Sequence, residues 1–576
     1  MNERYADVVV DISHEKLDRS FQYRVPEELS EKIRAGSRVW IPFGNGNRLI
    51  DGYVIGLGSR PKCEPGKLKE IRGLVEGGMT VETKLITLAA WMRETYGSTM
   101  IQALKTVLPV KEKKRLKTVR RICLNTDPSA AEKQLQEFRR RHCRARERLL
   151  ERLLECRELD SREVSGELKI TASTLRDLQQ QGLIRIEEQL PEEPPAPDIR
   201  MEPPKPLTES QSRVFRGILR EWEERDRPSL LYGITGSGKT RIYLELIREV
   251  QNSGKQAIVL IPEIALTWQT VRSFYRCFGN KVAVLHSRMT PAQRYGQLER
   301  VRRQEAEIVV GPRSALFTPF SRLGLIIVDE EHENSYKSEG TPRYHARETA
   351  VERGRLEGAH VVLGSATPSV DAYYACETGE YALFSLKERY GEAVLPQVCA
   401  VDMREELKAG NRSIFSRKLQ EALEQRLRAG EQSMLFLNRR GYAGFITCRS
   451  CGHVIQCPHC DVSLTYHSSG KLICHYCGYS TDQVSRCPSC GSPYIGGFRA
   501  GTQQIEQTVK KLFPEARTLR MDADTTREKK GYEKILKAFS SGEADILIGT
   551  QMIVKGHDLP VITGRRSGPT SCWCRP

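Results

Sequence analysis

The sequence predicts a multidomain α/β protein, and three observations carry that expectation. The 576 residues make about four domains at roughly 150 apiece, so one compact fold is not expected. After residue 206, strand and helix patterns alternate. The runs at 256–262, 307–311, 324–329 and 360–364 are short and almost wholly apolar, as in buried parallel sheets. Eight of the 17 cysteines lie between 448 and 490 in C-x-x-C pairs, the pattern of a metal-binding insertion and not of a secreted disulfide scaffold.

Composition narrows the class. With 39% hydrophobic and 28% charged residues the chain resembles folded globular proteins, not disordered ones. Lys and Arg number 90 against 73 Asp and Glu, and the formal charge of +17 points to a polyanionic partner, most often nucleic acid. No apolar run approaches the roughly 18 residues that a membrane span needs. Met1 to Asp7 enters a charged strand pattern without a signal-peptide core, so a cytoplasmic protein free of membranes is expected.

Taken in order, residues 1–110 read as β-rich, with apolar runs at 6–12, 36–42 and 49–57 separated by Gly, Pro and Asn. A basic stretch, 111–121, leads into a helical pattern where Arg139, Arg140, Arg141, Arg144, Arg146 and Arg148 cluster; a charge run alone is more often a solvated face than a contact. Residues 159–189 then run helix, turn, helix, Gly182 and a strand-like Leu183 to Ile186, the order of a winged helix, so 111–190 is assigned to that domain. Residues 191–206 hold seven prolines and form a semi-rigid linker.

The next segment, 207–395, carries a phosphate loop. Gly233 to Thr240 reads G-I-T-G-S-G-K-T and stands between an apolar strand and a helix. Gly233, Gly236 and Gly238 let backbone N–H groups approach phosphates, Lys239 reaches the β- and γ-oxygens, and the Thr240 hydroxyl ligates Mg²⁺. A partner carboxylate follows at a strand's C-terminal end, where ligands gather in open α/β sheets. Asp329 would hold Mg²⁺, and Glu330 would orient or deprotonate the attacking water. These residues read as an NTPase site, with Lys239, Asp329 and Glu330 as its catalytic residues.

These residues carry a resemblance. Asp329 to His332 (D-E-E-H) resembles the DExH box of superfamily 2 helicases. Gln211 resembles the upstream adenine-reading glutamine, 262–267 the strand-contact motif Ia, 311–317 a DNA-contact segment that includes Arg313, and 364–368 motif III. Tyr336, Lys337 and Pro342 to Arg347 form an aromatic, basic stretch; Tyr336 and Tyr344 beside Arg343 suit stacking on unpaired bases, worth about 1–3 kcal/mol per base, although a surface loop with incidental tyrosines is the plainer reading. With 436–442 leading into the cysteine block, the chain closely resembles the PriA-type family (primosomal protein N′) of replication-restart DNA helicases as far as about residue 562.

The resemblance implies a two-lobe, RecA-like helicase core, an ATP-driven 3′→5′ motor that recognises stalled or branched forks and initiates primosome assembly. The implied partners are DNA as forks, single strands and 3′ ends, together with single-strand-binding protein and primosome loading proteins; a monomer is expected. It also implies a 3′-end pocket in 1–110 at Phe21, Gly44 and Lys69, where core and turn roles are an equal reading of Phe21 and Gly44. The family places Asp where this chain has Gln22, an uncharged and weaker acceptor for a 3′-hydroxyl.

Cys448/Cys451, Cys457/Cys460, Cys474/Cys477 and Cys487/Cys490 are knuckles separated by 5, 13 and 9 residues, enough thiolates for two structural Cys₄ Zn²⁺ sites within an insertion at 448–495. Five residues are few to close one site. The favoured arrangement is therefore nested, the middle four against the outer four, as the family also implies. His453, His459, His467 and His475 lie nearby but find no vacancy among eight thiols.

A second lobe is expected to begin at 396–447 and resume at 496–562, where 501–504, 521–526 and 545–558 resemble its early motifs and motif V. Residues 563–576 read as an aberrant tail, neither strand nor helix. With no motif VI arginine and no C-terminal domain in view, a truncated product with an exposed sheet edge is expected, since comparable arginines account for about 10³–10⁵ in kcat. Two rival readings follow: a fork- or end-binding protein weakened in catalysis, and a translocase acting on duplex DNA or RNA, against which the paired zinc sites argue.

Overall fold

The computed structural model describes residues 4–64, 68–75, 83–108, 119–166, 168–189, 201–202, 206–263, 268–287, 289–389, 397–437, 446–467, 470–497, 501–522, 525, 531–550, 553 and 571–574. Contacts divide the chain into two compact units, 1–266 with 271–390 and 267–270 with 391–576.

The first unit opens with an antiparallel sheet of β1 (Arg4–Val10), β2 (Ser20–Val25), β3 (Arg38–Phe43), β4 (Arg48–Gly58) and β5 (Gly73–Leu74), ordered β2-β1-β4-β3-β5. Ala6, Val8, Val10, Val39, Ile41 and Val54 alternate inward to form its core, as the two-residue strand period requires. The β-rich expectation does not extend through residue 110, because α1 (Thr83–Tyr96) and α2 (Met100–Val107) are helices. Their apolar residues recur every three to four positions, Leu85, Leu88, Ala89 and Met92 among them. That stripe shares a core with Leu316, Phe317 and Ala350, more than 200 residues later in the chain.

Then follow β6 (Val119–Leu124), α3 (Pro128–Arg140), α4 (Arg144–Cys156), β7 (Glu158–Asp160), α5 (Ser161–Gly166), α6 (Ala172–Gln180) and β8 (Ile184–Gln189). The helix–turn–helix–strand order matches a winged helix, but the central strand of its sheet, β6, precedes the helices (order β7-β6-β8). Several clustered arginines are engaged internally: Arg139 pairs with Glu147 and Glu151, Arg141 with Glu137, and Arg146 with Asp177. The run behaves largely as a paired helix surface.

The unit closes with α7 (Glu209–Glu224), β9 (Ser229–Gly233), α8 (Lys239–Asn252), β10 (Gln256–Leu260), α9 (Trp268–Phe278), β11 (Val282–Val284), α10 (Pro291–Arg302), β12 (Ile308–Gly311), β13 (Leu323–Asp329), α11 (Ala346–Glu357), β14 (His360–Ser365), α12 (Val370–Glu377) and β15 (Ala382–Leu386). Its strands form one parallel sheet, β11-β12-β10-β13-β14-β9-β15. Ile258, Val309, Ile326 and Leu363 feed the core on one face; Val259, Val310, Ile327 and Val362 feed the other. Burial on both faces is why these strands read as continuous apolar runs.

The second unit holds α13 (Met403–Lys408), α14 (Arg417–Arg428), β16 (Ser433–Leu437), β17 (Ile446–Cys448), β18 (Thr465–Tyr466), β19 (Lys471–Ile473), β20 (Ser480–Asp482), β21 (Ile495–Gly497), α15 (Thr502–Leu512), β22 (Thr518–Met521), α16 (Gly531–Ser540), β23 (Ile546–Gly549) and β24 (Ser571–Cys574). The parallel sheet β22-β23-β16-β24 is its centre, and the cysteine insertion leaves it between β16 and α15. Within the 563–576 tail the expectation is corrected at 571–574 alone: Ser571 to Cys574 form a strand that pairs with Met434 to Leu437 and covers that edge of β16. Residues 264–267 of the motif Ia resemblance, 438–445, and 551–552 with 554–562 of the motif V region lie outside the described residues, as do 563–570. No helix among the described residues is long and apolar enough to cross a membrane.

Candidate functional site

Sheet register brings the site together. In the parallel ladder Asp329 stands opposite Gly364, and Gly364 opposite Leu231, so the ends of β13, β14 and β9 open onto one edge. From β9 the chain turns through Gly236 and Gly238, whose φ values of 81° and 82° only glycine adopts freely, and α8 begins at Lys239. Its free backbone N–H groups and dipole face the loop, the arrangement that binds phosphate. Lys239 Nζ donates to the Gly233 carbonyl at 2.6 Å. Burial pushes the Lys239 amine below the usual lysine range, against the pull of Asp329 and Glu330. Ser237 Oγ is buried without a hydrogen-bond partner, a donor suited to a phosphate oxygen.

Gln211 packs against the phosphate loop. It is 1% exposed, donates from Nε2 to the Ser237 carbonyl at 3.0 Å, and accepts from the Thr208 N–H at 3.1 Å. Here it braces the loop from below. A recess of about 680 Å³ beside it is lined by Leu207, Phe215, Arg216, Arg241 and Arg248.

Asp329 ends β13 half-buried; burial first, then the neighbouring Glu330 charge, push its carboxyl up to about 6. A divalent cation relieves that burial cost, so the residues present fit Mg²⁺. Tyr243 donates to Asp329 Oδ1 at 2.9 Å. Glu330 follows at φ 50°, a strained backbone for a residue with a side chain, and lies 3.6 Å from His332 Nδ1. His332 in turn shares a 2.7 Å hydrogen bond with Ser365 of the motif III segment.

The predicted DNA contacts separate into two groups. Arg343 is exposed, and Arg313 Nη1 donates to the Ser335 carbonyl at 3.1 Å, tying the two segments together. Tyr336 and Tyr344, however, are 1% and 4% exposed. Tyr336 donates to the Asp329 carbonyl at 2.7 Å, and Tyr344 packs edge-on against Phe317 at 5.3 Å. Neither ring presents a face to a base in this structure, because both complete the core beneath the segment. In the N-terminal sheet, Phe21 packs edge-on against Phe43 at 5.2 Å, and Lys69 Nζ donates to the Gly44 carbonyl at 2.7 Å, so the three predicted residues cluster at one end. The Gln22 amide turns to Arg60 and Lys62 instead.

Glu331 escaped the sequence reading. Glu331 is fully buried and accepts from Arg347 Nη1 at 2.9 Å, from Ser369 N–H at 2.7 Å and from Ser369 Oγ at 2.9 Å. It joins the acidic box to α11 and α12. The only available signal was a third acid in D-E-E-H, and nothing in the sequence distinguishes a buried acid from a solvated one.

The thiols adopt the nested arrangement. Cys457, Cys460, Cys474 and Cys477 form one group and Cys448, Cys451, Cys487 and Cys490 the other, with sulfurs within 4.8 Å of one another. Close pairs at 3.5 and 3.6 Å match the roughly 3.8 Å edge of a tetrahedron built on 2.3 Å Zn–S bonds. Contact with Cys477 holds Cys460 up at about 12, whereas the Cys477 backbone N–H draws Cys474 down to about 7. A divalent cation among the four resolves that conflict, so the donors fit zinc. None of the four nearby histidines enters either cluster among the described residues. Metal analysis of the purified chain should find about two zinc ions, and Cys474→Ser should remove about one while exposing β18–β19 to protease. Unchanged stoichiometry in that variant would contradict Cys474 as a zinc ligand.

Three family models match this chain. The PriA 3′ DNA-binding domain covers residues 7–109, the DEAD/DEAH box helicase model 208–374, and the PriA DNA helicase Cys-rich region 457–481. Replication restart protein PriA of Bacillus subtilis (strain 168) is 39% identical over 97% of this chain and 78% of its own length. The chain belongs to the PriA family of DNA helicases. The PriA of Chlamydia muridarum is 35% identical over 97% of this chain and 75% of its own. Among solved structures, RecG bound to a three-way DNA junction superposes on 62% of this chain and 38% of its own, with 17% identity and a TM-score of 0.37. Membership makes the chain an ATP-dependent helicase with DNA as partner, nucleotide as fuel and zinc in its cysteine-rich region.

Proposed function

We propose that this PriA-family chain moves 3′→5′ on DNA, recognises stalled or branched replication forks and initiates primosome assembly. The observation supporting the motor most directly is that Lys239, bonded to Gly233 at the end of β9, joins Asp329 and Gly364 on the two neighbouring strands, with Tyr336 bonded to the Asp329 carbonyl. The 233–240 loop would hold the phosphates of ATP, and Thr240 and Asp329 would hold Mg²⁺, which when bound would neutralise phosphate charge. Lys239 exchanges the Gly233 carbonyl for a phosphate oxygen, and Glu330 takes the proton of the attacking water. Because Tyr336 grips the backbone of Asp329, movement at the metal-binding strand end passes into the 336–347 segment, with Arg313 and exposed Arg343 toward the strand. Phe21, Gly44 and Lys69 receive a 3′ end. Gln211 reads adenine only after releasing Ser237.

Single-strand-binding protein and the primosome loading proteins complete the set of partners, and the chain acts as a cytoplasmic monomer. The test is strand separation on a forked duplex. ATP-dependent displacement, with hydrolysis stimulated by the fork and polarity 3′→5′, is expected; hydrolysis indifferent to DNA would reject the reading.

A further inference from the structure

We propose that Tyr243 is the positioning residue for the metal-binding carboxylate of Asp329. The inference rests on the assignment of Asp329 to Mg²⁺ given above and adds to it a residue that no phosphate-loop or acidic-box pattern includes.

Tyr243 lies on α8, three residues after Thr240, and is 1% exposed. Its hydroxyl donates to Asp329 Oδ1 at 2.9 Å, across 86 positions of sequence. The path to that bond runs past β14 at Gly364, directly opposite Asp329 in the ladder. A Cβ placed on Gly364 would lie 1.6 Å from the Tyr243 hydroxyl and 2.8 Å from Cζ, distances no side chain tolerates. The glycine that opens the motif III segment is therefore the space through which the tyrosine reaches the aspartate. The φ of Gly364 is not positive, so backbone conformation gives no other reason for glycine there.

Two tyrosines thus hold one aspartate: Tyr243 grips its side chain and Tyr336 its backbone carbonyl. With Oδ1 committed, the carboxylate has one orientation, and the helix that begins at Lys239 is linked to the metal-binding strand end without any bound group between them. Residues that orient a metal ligand through a hydrogen bond typically change metal affinity about 10–100-fold when removed. A residue that merely filled the core would not act on the metal.

The test is nucleotide binding by the full chain, followed with a fluorescent ADP at increasing Mg²⁺ and in EDTA, for the parent, Tyr243→Phe and Asp329→Asn. Tyr243→Phe keeps the ring and removes only the hydroxyl; thermal melting confirms that it folds. The expected result is an Mg²⁺ half-saturation raised about tenfold in Tyr243→Phe, with affinity in EDTA unchanged. Asp329→Asn should raise it at least as far. If Asp329→Asn shifts the Mg²⁺ dependence and Tyr243→Phe does not, the tyrosine is only packing and the proposal falls alone. If neither variant shifts it, the assignment of Asp329 to the metal fails and the proposal falls with it.

Discussion

Lys239→Ala is expected to lower DNA-stimulated ATP hydrolysis about 10²–10³-fold, the usual effect of removing one preorganised charge donor from a reacting centre. The side chain is the first of α8, is half-buried and bonds the Gly233 carbonyl, so its loss removes charge without opening the core. Fork binding should persist, since the end pocket and the exposed Arg343 lie elsewhere in the sequence. Steady-state hydrolysis with and without forked DNA, beside a binding titration, reads both quantities. Hydrolysis within a few-fold of the parent would mean that the loop is not the catalytic phosphate site.

A different kind of loss is expected at Glu331. Its side chain is 0% exposed and that of Arg347 is 7% exposed. Removing one partner of a buried pair leaves the other charge without compensation, which costs about 3–5 kcal/mol. Arg347→Ala and Glu331→Gln should each lower the melting temperature of the first unit by roughly 4–6 °C. Arg347 also meets Asp371, but that carboxylate is 83% exposed and adds little. The double variant should lose less than the sum of the single losses, because no orphaned charge remains. Strict additivity in calorimetry would show that the two residues are not coupled.

The catalytic constellation was legible in the sequence because its pieces are contiguous. Gly233 to Thr240 must be one loop, Asp329 and Glu330 must end one strand, and each knuckle must carry its cysteines with two residues between them. The nested zinc pairing followed from gap length, since five residues span too little to close a site. Roles set by burial were not legible in the same way. Tyr336 and Tyr344 have the composition of a base-stacking surface, yet both are spent on the core. Gln211 has the right position for an adenine contact, yet its amide holds Ser237. The tail at 571–574 looked structureless because a strand of four residues declares itself only beside its partner, Met434 to Leu437.

By itself the sequence determined the chemistry: a phosphate loop, an acidic strand end and eight thiols at ligand spacing. Each depends on side-chain identity at short separation, which chain connectivity alone enforces. Tertiary structure alone decided which residues brace that chemistry. Tyr243 reaches Asp329 past Gly364, Glu331 meets Arg347 and Ser369, and α1 and α2 join the core of the phosphate-binding sheet. Those roles depend on burial and on partners 16 to more than 200 positions away. Hydrogen bonds and apolar contacts gain their strength where water is excluded, and only the folded sheet defines where that is.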